Sequence, residues 1–178
     1  MRIINTSLLL LTFGLTVLLI VPGLIQDGMF MDGQQYACVS KNLSEGYGSF
    51  WLPQLNPSWN KADCNYFLEH PPLVYGMQAT FFKIFGSSMY VERLYSFLTA
   101  IANILFIILI WNTLFDKNSE YRRLKWFPVL LWITVPVCFW SFQNNMHENT
   151  LSFFTLASVF FSLKAVYADK SNKSYLFV

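Results

Sequence analysis

Four apolar runs, each close to the length of a membrane crossing, constrain this chain more than any other feature. They lie at about 5–25, 94–115, 126–142 and 150–167, and a long hydrophilic stretch follows the first of them. A helix needs about 20 apolar residues to cross the hydrocarbon core. Lipid offers no partner to an open backbone, so such runs must be helical. Composition agrees. Only 12% of the residues are charged and 54% are hydrophobic, against about 25% charged in an average soluble domain. The fold class read from this is an all-α integral membrane protein. It has about four transmembrane helices plus two external juxtamembrane helices. A formal net charge of +2 gives no footing for nucleic acid.

Arg2 precedes the first run, and Val21-Pro22-Gly23-Leu24 is a poor match to a small-residue cleavage site. The run therefore reads as an uncleaved span in preference to a secretory signal. Trp126–Phe142 carries Pro128 and Pro136, which membrane helices tolerate where neighbours satisfy the freed carbonyls. Ser174-Tyr175-Leu176-Phe177-Val178 looks like the opening of a fifth span.

Pro71–Phe85 is apolar but short and holds Gln78 and Lys83, so it reads as interfacial or re-entrant. Positive charge arbitrates, since Lys and Arg concentrate on the cytoplasmic side. Lys117, Arg122, Arg123 and Lys125 occupy the loop 116–125, Lys170 and Lys173 the tail, and Arg2 the N-terminus. The loop 26–70 holds five acids against Lys41 and Lys61. If 71–85 lies in the interface, every basic segment falls on the cytoplasmic side. The loops 26–91 and 143–149 then share the exterior face, which gathers Asp32, His70, His147 and Glu148 on one side.

Within the external loop, Asp32, Tyr36, Val39 and Leu43 recur at helical spacing, predicting a surface helix at about 32–44 that Gly46 and Gly48 end. A second is predicted at about 71–85, with Pro71 and Pro72 in its first turn and Leu73, Met77, Phe81 and Ile84 as its apolar stripe. A catalytic-looking residue stands at the start of each.

The segments Asp32-Gly33-Gln34-Gln35-Tyr36-Ala37, Phe67-Leu68-Glu69-His70-Pro71-Pro72-Leu73-Val74-Tyr75, Glu92-Arg93-Leu94-Tyr95-Ser96 and Met146-His147-Glu148-Asn149-Thr150-Leu151 carry a resemblance. Together they resemble the membrane glycosyltransferases of GT-C fold. The nearest branch is the protein mannosyltransferase and aminoarabinose transferase group (glycosyltransferase family 39-like). The resemblance spans roughly residues 5–168, and the acid-to-Pro-Pro spacing is its most specific element. Enzymes of this branch have more spans, so the chain corresponds to the N-terminal portion of such a fold.

The resemblance implies a polyprenyl-phosphate sugar donor, a lipid, glycan or protein acceptor, and a bacterial inner (plasma) membrane with the long loop facing the periplasm or exterior. Asp32 would orient or deprotonate the acceptor hydroxyl, and Glu148 would be the second acid. His70 stands where many members carry Lys and would face the donor phosphate. Tyr36 would shape the pocket, while Glu69, Gln35, Arg93 and His147 would complete the substrate-binding set. Two departures stand out: Gly33 replaces a second acid, and Gln35 a common basic residue.

Plainer readings exist for each residue. Asp32 with Gln35 three positions on is a capping box. Glu69-His70 would serve as a polar lead-in to a helix, and His147-Glu148 as an interfacial cap on the last span. Glu92-Arg93 fits an interfacial anchor, and Lys83 fits snorkelling to headgroups. No cofactor is certain. His70, Glu69, His147 and Glu148 offer nitrogen and oxygen ligands for a divalent metal if the loops converge, though no ligand spacing specifies one. Cys38 and Cys64 share the loop, as a bridge or as two free thiols; Cys138 lies within a span.

Two function classes remain. One is an inverting glycosyltransferase or its N-terminal part. The other is a non-catalytic remnant or a scaffold or lipid-binding subunit of a membrane complex. A transporter fits less well, because no span carries a charge near its centre.

Overall fold

The computed structural model describes residues 2–56 and 66–169. The Cys38–Cys64 pairing, the tail lysines and the opening of a fifth span lie outside the described residues. Seven α-helices follow one another: α1 (Arg2–Ile25), α2 (Met31–Ser44), α3 (Leu73–Phe85), α4 (Met89–Leu114), α5 (Trp126–Thr134), α6 (Pro136–Gln143) and α7 (His147–Asp169). A two-residue hairpin, β1 (Gly48–Ser49) with β2 (Leu52–Pro53), lies between α2 and α3. A 3-10 turn (Tyr121–Leu124) precedes α5.

Three helices are long and apolar enough to cross a membrane, at Asn5–Ile25, Met89–Leu114 and His147–Tyr167. A fourth crossing is formed if Tyr121–Thr134 and Pro136–Gln143 make one span, bent by 72°. The sequence reading of 126–142 as one helix holding both prolines is corrected here. Pro128 sits in the first turn of α5, where a missing N–H costs little. Pro136 lies ten residues into the run and pushes Val135 out of the helical region to φ −72°, ψ 119°. That break ends α5 and starts α6 with Pro136 in its first turn.

α3 has 13 residues, about 20 Å at 1.5 Å per residue, too short to cross. Its expected stripe is rotated. Leu73 and Ile84 are exposed, while Tyr75, Gln78, Ala79 and Phe82 are buried. Apolar side chains facing lipid incur no penalty, so the buried face of a membrane helix follows packing and polar pairing.

Two cores result. Ile20, Leu24, Ala100, Ile133 and Phe142 join α1, α4, α5 and α6 within the bundle. Tyr36, Val39, Phe67 and Tyr75 join α2, α3 and the segment before α3 at one end of it. Polar side chains fix α7 against α4 and α6. Tyr95 Oη and Thr150 Oγ1 are 2.7 Å apart. Asn103 Nδ2 donates to Asn149 O at 3.1 Å, and Asn149 Nδ2 donates to Ser141 O at 2.9 Å. Such bonds hold helices together where lipid supplies no hydrophobic drive, and here they set the position of the first turn of α7.

Candidate active site

α2 brings Asp32 in its first turn and Tyr36 one turn later. The helix starts at Met31 after Phe30, with no side-chain cap, so the capping box of Asp32 and Gln35 is not formed. Phe30 N–H is satisfied by Asn144 Oδ1 at 2.7 Å, which leaves the Asp32 carboxylate uncommitted to the helix end. At the other end of α2, Asn42 Nδ2 donates to Gln54 O and Leu55 O at 3.0 and 2.7 Å. Phe67 N–H donates to Pro53 O at 2.8 Å. These bonds carry the chain back so that Glu69 and His70 arrive beside α2.

The second knot is Asn145, between α6 and α7. It is 1% exposed and sits at φ 52°, a left-handed conformation that Asn tolerates better than most residues. Gln78 Nε2 of α3 donates to Asn145 Oδ1 at 2.7 Å, and Asn145 Nδ2 faces Gly33 O of α2 at 3.5 Å. One buried amide therefore ties α2, α3 and the start of α7. Gly33, which departs from the family pattern, has a local reason. A Cβ at this position would collide with the backbone carbonyl of Asn144, so α2 can seat on the Asn144–Asn145 turn only without a side chain there.

What these ties assemble is a box of rings. Tyr36 Oη is 3.0 Å from His70 Nε2. The His147 ring stacks on Tyr36 with centroids 3.7 Å apart and planes 20° apart. His70 meets His147 edge-on at 5.3 Å, and Tyr75 meets His147 at 4.7 Å. Phe67 closes the box against Tyr75 at 5.9 Å. Burial, followed by the charges of Asp32, Glu148 and Glu69, pushes the Tyr36 phenol up to about 12. Burial, then Tyr36 and Glu69, likewise raises Tyr75. Three carboxylates from three separate segments thus act on one phenol.

Tyr36 keeps its proton at any ordinary pH, so the direction of its bond follows the imidazole. A neutral His70 protonated on Nδ1 accepts from the phenol, and an imidazolium donates to it. Among the described residues, Tyr75 Oη and His147 Nε2 are buried without a hydrogen-bond partner. Arg93 Nε, Asn103 Oδ1 and Trp126 Nε1 are orphaned in the same way outside the box. A cavity of about 290 Å³ opens from the box, with His70, His147 and Glu148 at its polar edge. Leu73, Val74, Leu151 and Phe154 form its apolar wall.

Of the residues named from sequence, Tyr36, His70 and His147 meet here, Glu148 lines the adjoining cavity, and Asp32 and Glu69 act on Tyr36 through their charge. Gln35 is half-exposed, with no hydrogen bond tying it to the box. Arg93 lies elsewhere. It is 5% exposed and donates to Gly23 O, Gly28 O, Gln26 O and Gln143 O at 3.0, 2.7, 3.5 and 3.4 Å. Its guanidinium closes the end of α1 through Nη1 and Nη2, while its Nε has no hydrogen-bond partner among the described residues. Sequence reasoning missed Phe67, Tyr75, Gln78 and Asn145. Their signal was polar side chains inside apolar surroundings, with an Asn pair just ahead of a span. Among the described residues no three His, Cys, Asp or Glu side chains converge as a metal-ligating set.

The sequence profile of the dolichyl-phosphate-mannose-protein mannosyltransferase family matches residues 69–178. The chain belongs to this family. No curated protein and no solved structure matches it. It is accordingly an integral membrane protein of a glycosyltransferase family. The matched region holds Glu69, His70, His147 and Glu148. Asp32 and Tyr36 lie ahead of it in sequence and are brought to it by the packing of α2 on α3.

Proposed function

We propose that the box and its cavity form the reaction centre for transfer of a sugar from a polyprenyl-phosphate-linked donor to a hydroxyl of a lipid, glycan or protein acceptor. The reaction proceeds with inversion, at the outer face of the membrane. The observation that carries this reading is the Tyr36–His70 pair, acted on by the charges of Asp32, Glu148 and Glu69, with His70 and Glu148 lining an apolar-walled cavity. The basic loop 116–125, at the other end of the bundle, supports this orientation by the positive-inside rule.

In this reading the acceptor oxygen forms its bond to the anomeric carbon as the bond from that carbon to the phosphate oxygen breaks. The electron pair leaves with polyprenyl phosphate, and the acceptor proton passes to Asp32. A carboxylate serves as base when it stands within hydrogen-bond reach of the proton it takes. Negative charge grows on the departing phosphate. His70 and the Tyr36 hydroxyl, already joined, supply the donors that stabilise it, an effect that is large where water is excluded. Glu148 approaches from α7 to orient the sugar, and the wall of Leu73, Val74, Leu151 and Phe154 holds the first isoprene units.

The test uses membranes containing the chain and a pool of radiolabelled polyprenyl-phosphate sugars. Sugar loss from the donor is expected, with a fall of about 100-fold or more in Asp32→Asn and a smaller fall in Glu148→Gln. Donor consumption that is indifferent to Asp32 would overturn the assignment.

A further inference from the structure

A cavity of about 410 Å³ lies at the opposite end of the bundle from the box. Asn5, Thr6 and Leu9 of α1, Asn112 of α4, and Lys117, Arg122, Arg123 and Lys125 line it. No acid is among the lining residues. Asp116 and Glu120 belong to the same loop, yet among the described residues neither forms an ion pair with the four cations. Lys117 and Arg123 are exposed, while Arg122 and Lys125 are half-buried. Arg122 is anchored by one bond, from its Nη1 to Phe115 O at 3.2 Å, which holds the guanidinium in place.

Four cations around a concavity repel one another, and an anion relieves that repulsion. Guanidinium forks and ammonium groups match a phosphate, and the amides of Asn5 and Asn112 add uncharged donors. Position decides the source of the phosphate. Asn5 and Leu114 are the terminal residues of two crossing helices, and Leu9 lies one turn inside the bilayer. A phosphate presented here reaches the cations at the membrane surface while attached acyl chains remain in lipid. Basic pockets between helix ends are suited to anionic headgroups. We infer that this cavity is a binding site for the phosphate of an anionic phospholipid, on the membrane face opposite the box.

The full chain, purified in neutral detergent, is titrated with phosphatidylglycerol, with phosphatidylcholine and with inorganic phosphate, and bound lipid is read by native mass spectrometry. The expected result is retention of phosphatidylglycerol about tenfold over phosphatidylcholine, undisturbed by millimolar inorganic phosphate. Lys117→Gln with Lys125→Gln loses that preference about tenfold and leaves Arg122 on its carbonyl, with helix content by circular dichroism confirming the fold. Lys83→Gln, a cation exposed on α3, leaves the preference intact. Equal retention of the two lipids, or an equal loss in Lys83→Gln, overturns the site. Displacement by inorganic phosphate overturns the lipid as its source.

Discussion

The two ends of the helix bundle treat polar groups in opposite ways. At the end bearing the box, Gln78, Arg93, Asn103 and Asn145 are all at most 5% exposed, and each bonds to another element of the fold. At the other end, Lys117 and Arg123 are exposed, and the cations line a cavity, with Arg122 alone held by a bond to Phe115 O among the described residues. Buried polar groups that are paired fix geometry, because breaking one pair strands its partner. Exposed charges fix none and remain available to a ligand. The first end is built to hold side chains in register; the second is built to receive something.

The sharpest way to break this contrast is Arg93→Ala. Arg93 serves four carbonyls and stands 3.8 Å from the buried carboxylate of Glu92. Its loss leaves that acid without a cation, and removing one partner of a buried pair costs about 3–5 kcal/mol. Thermal unfolding in detergent should show the largest drop of any variant at this end, and Arg93→Lys should recover only part of it. A drop below about 1 kcal/mol would mean that the α1 end is not closed by this residue.

Gly33→Ala comes next. The added methyl meets the Asn144 carbonyl, which is backbone and cannot swing aside. Overpacking of this kind costs about 1–3 kcal/mol. Relief comes by lifting α2, which carries Asp32 and Tyr36 away from His70. Both stability and donor consumption should therefore fall together. Gly14, where a Cβ meets nothing, is the matched control and should tolerate alanine.

How much of this was readable beforehand follows the same division. Four apolar runs and a short α3 were legible because crossing length is a property of composition and needs no partners. The placing of His70, His147 and Glu148 on one side was legible through charge placement, and these three line one cavity. Three things were not. Pro128 and Pro136 look alike in sequence, yet only Pro136 breaks a helix, because position within the turn decides the effect. The buried stripe of α3 was misread because hydrophobicity does not mark the inside when lipid lies outside; Tyr75 and Gln78, half-polar residues, mark it instead. Arg93 read both as an interfacial anchor and as a phosphate ligand, and only the three-dimensional return of α1 and α6 shows which carbonyls it holds.

A smaller effect tests the box alone. Tyr36→Phe removes a 3.0 Å bond to His70 and keeps the stacked ring, so about 1 kcal/mol is at stake. It also changes a pH profile. In the folded protein the phenol holds its proton up to about 12, whereas in an unfolded chain it ionises near 10. Between those values the unfolded state has released a proton that the folded state retains. The contribution is therefore fully present below about pH 10 and is lost as pH rises towards 12. Denaturation midpoints across that window should fall less steeply in Tyr36→Phe than in the wild type. Identical slopes would mean that Tyr36 is not buried among the three acids.

The smallest effect belongs to the opposite end. Lys117→Gln combined with Arg123→Gln removes two exposed charges that form no ion pair among the described residues. Surface changes of this kind lie within about 0.5 kcal/mol. Relief of repulsion with Arg122 and Lys125 should even make the double variant slightly more stable in neutral detergent. Anionic lipid reverses the order, since a ligand that binds only the folded state stabilises it by mass action. The wild type then gains in thermal midpoint and the variant gains little. A double variant that is much weaker than the wild type without any lipid would show these cations to be structural, and the contrast between the two ends would fall.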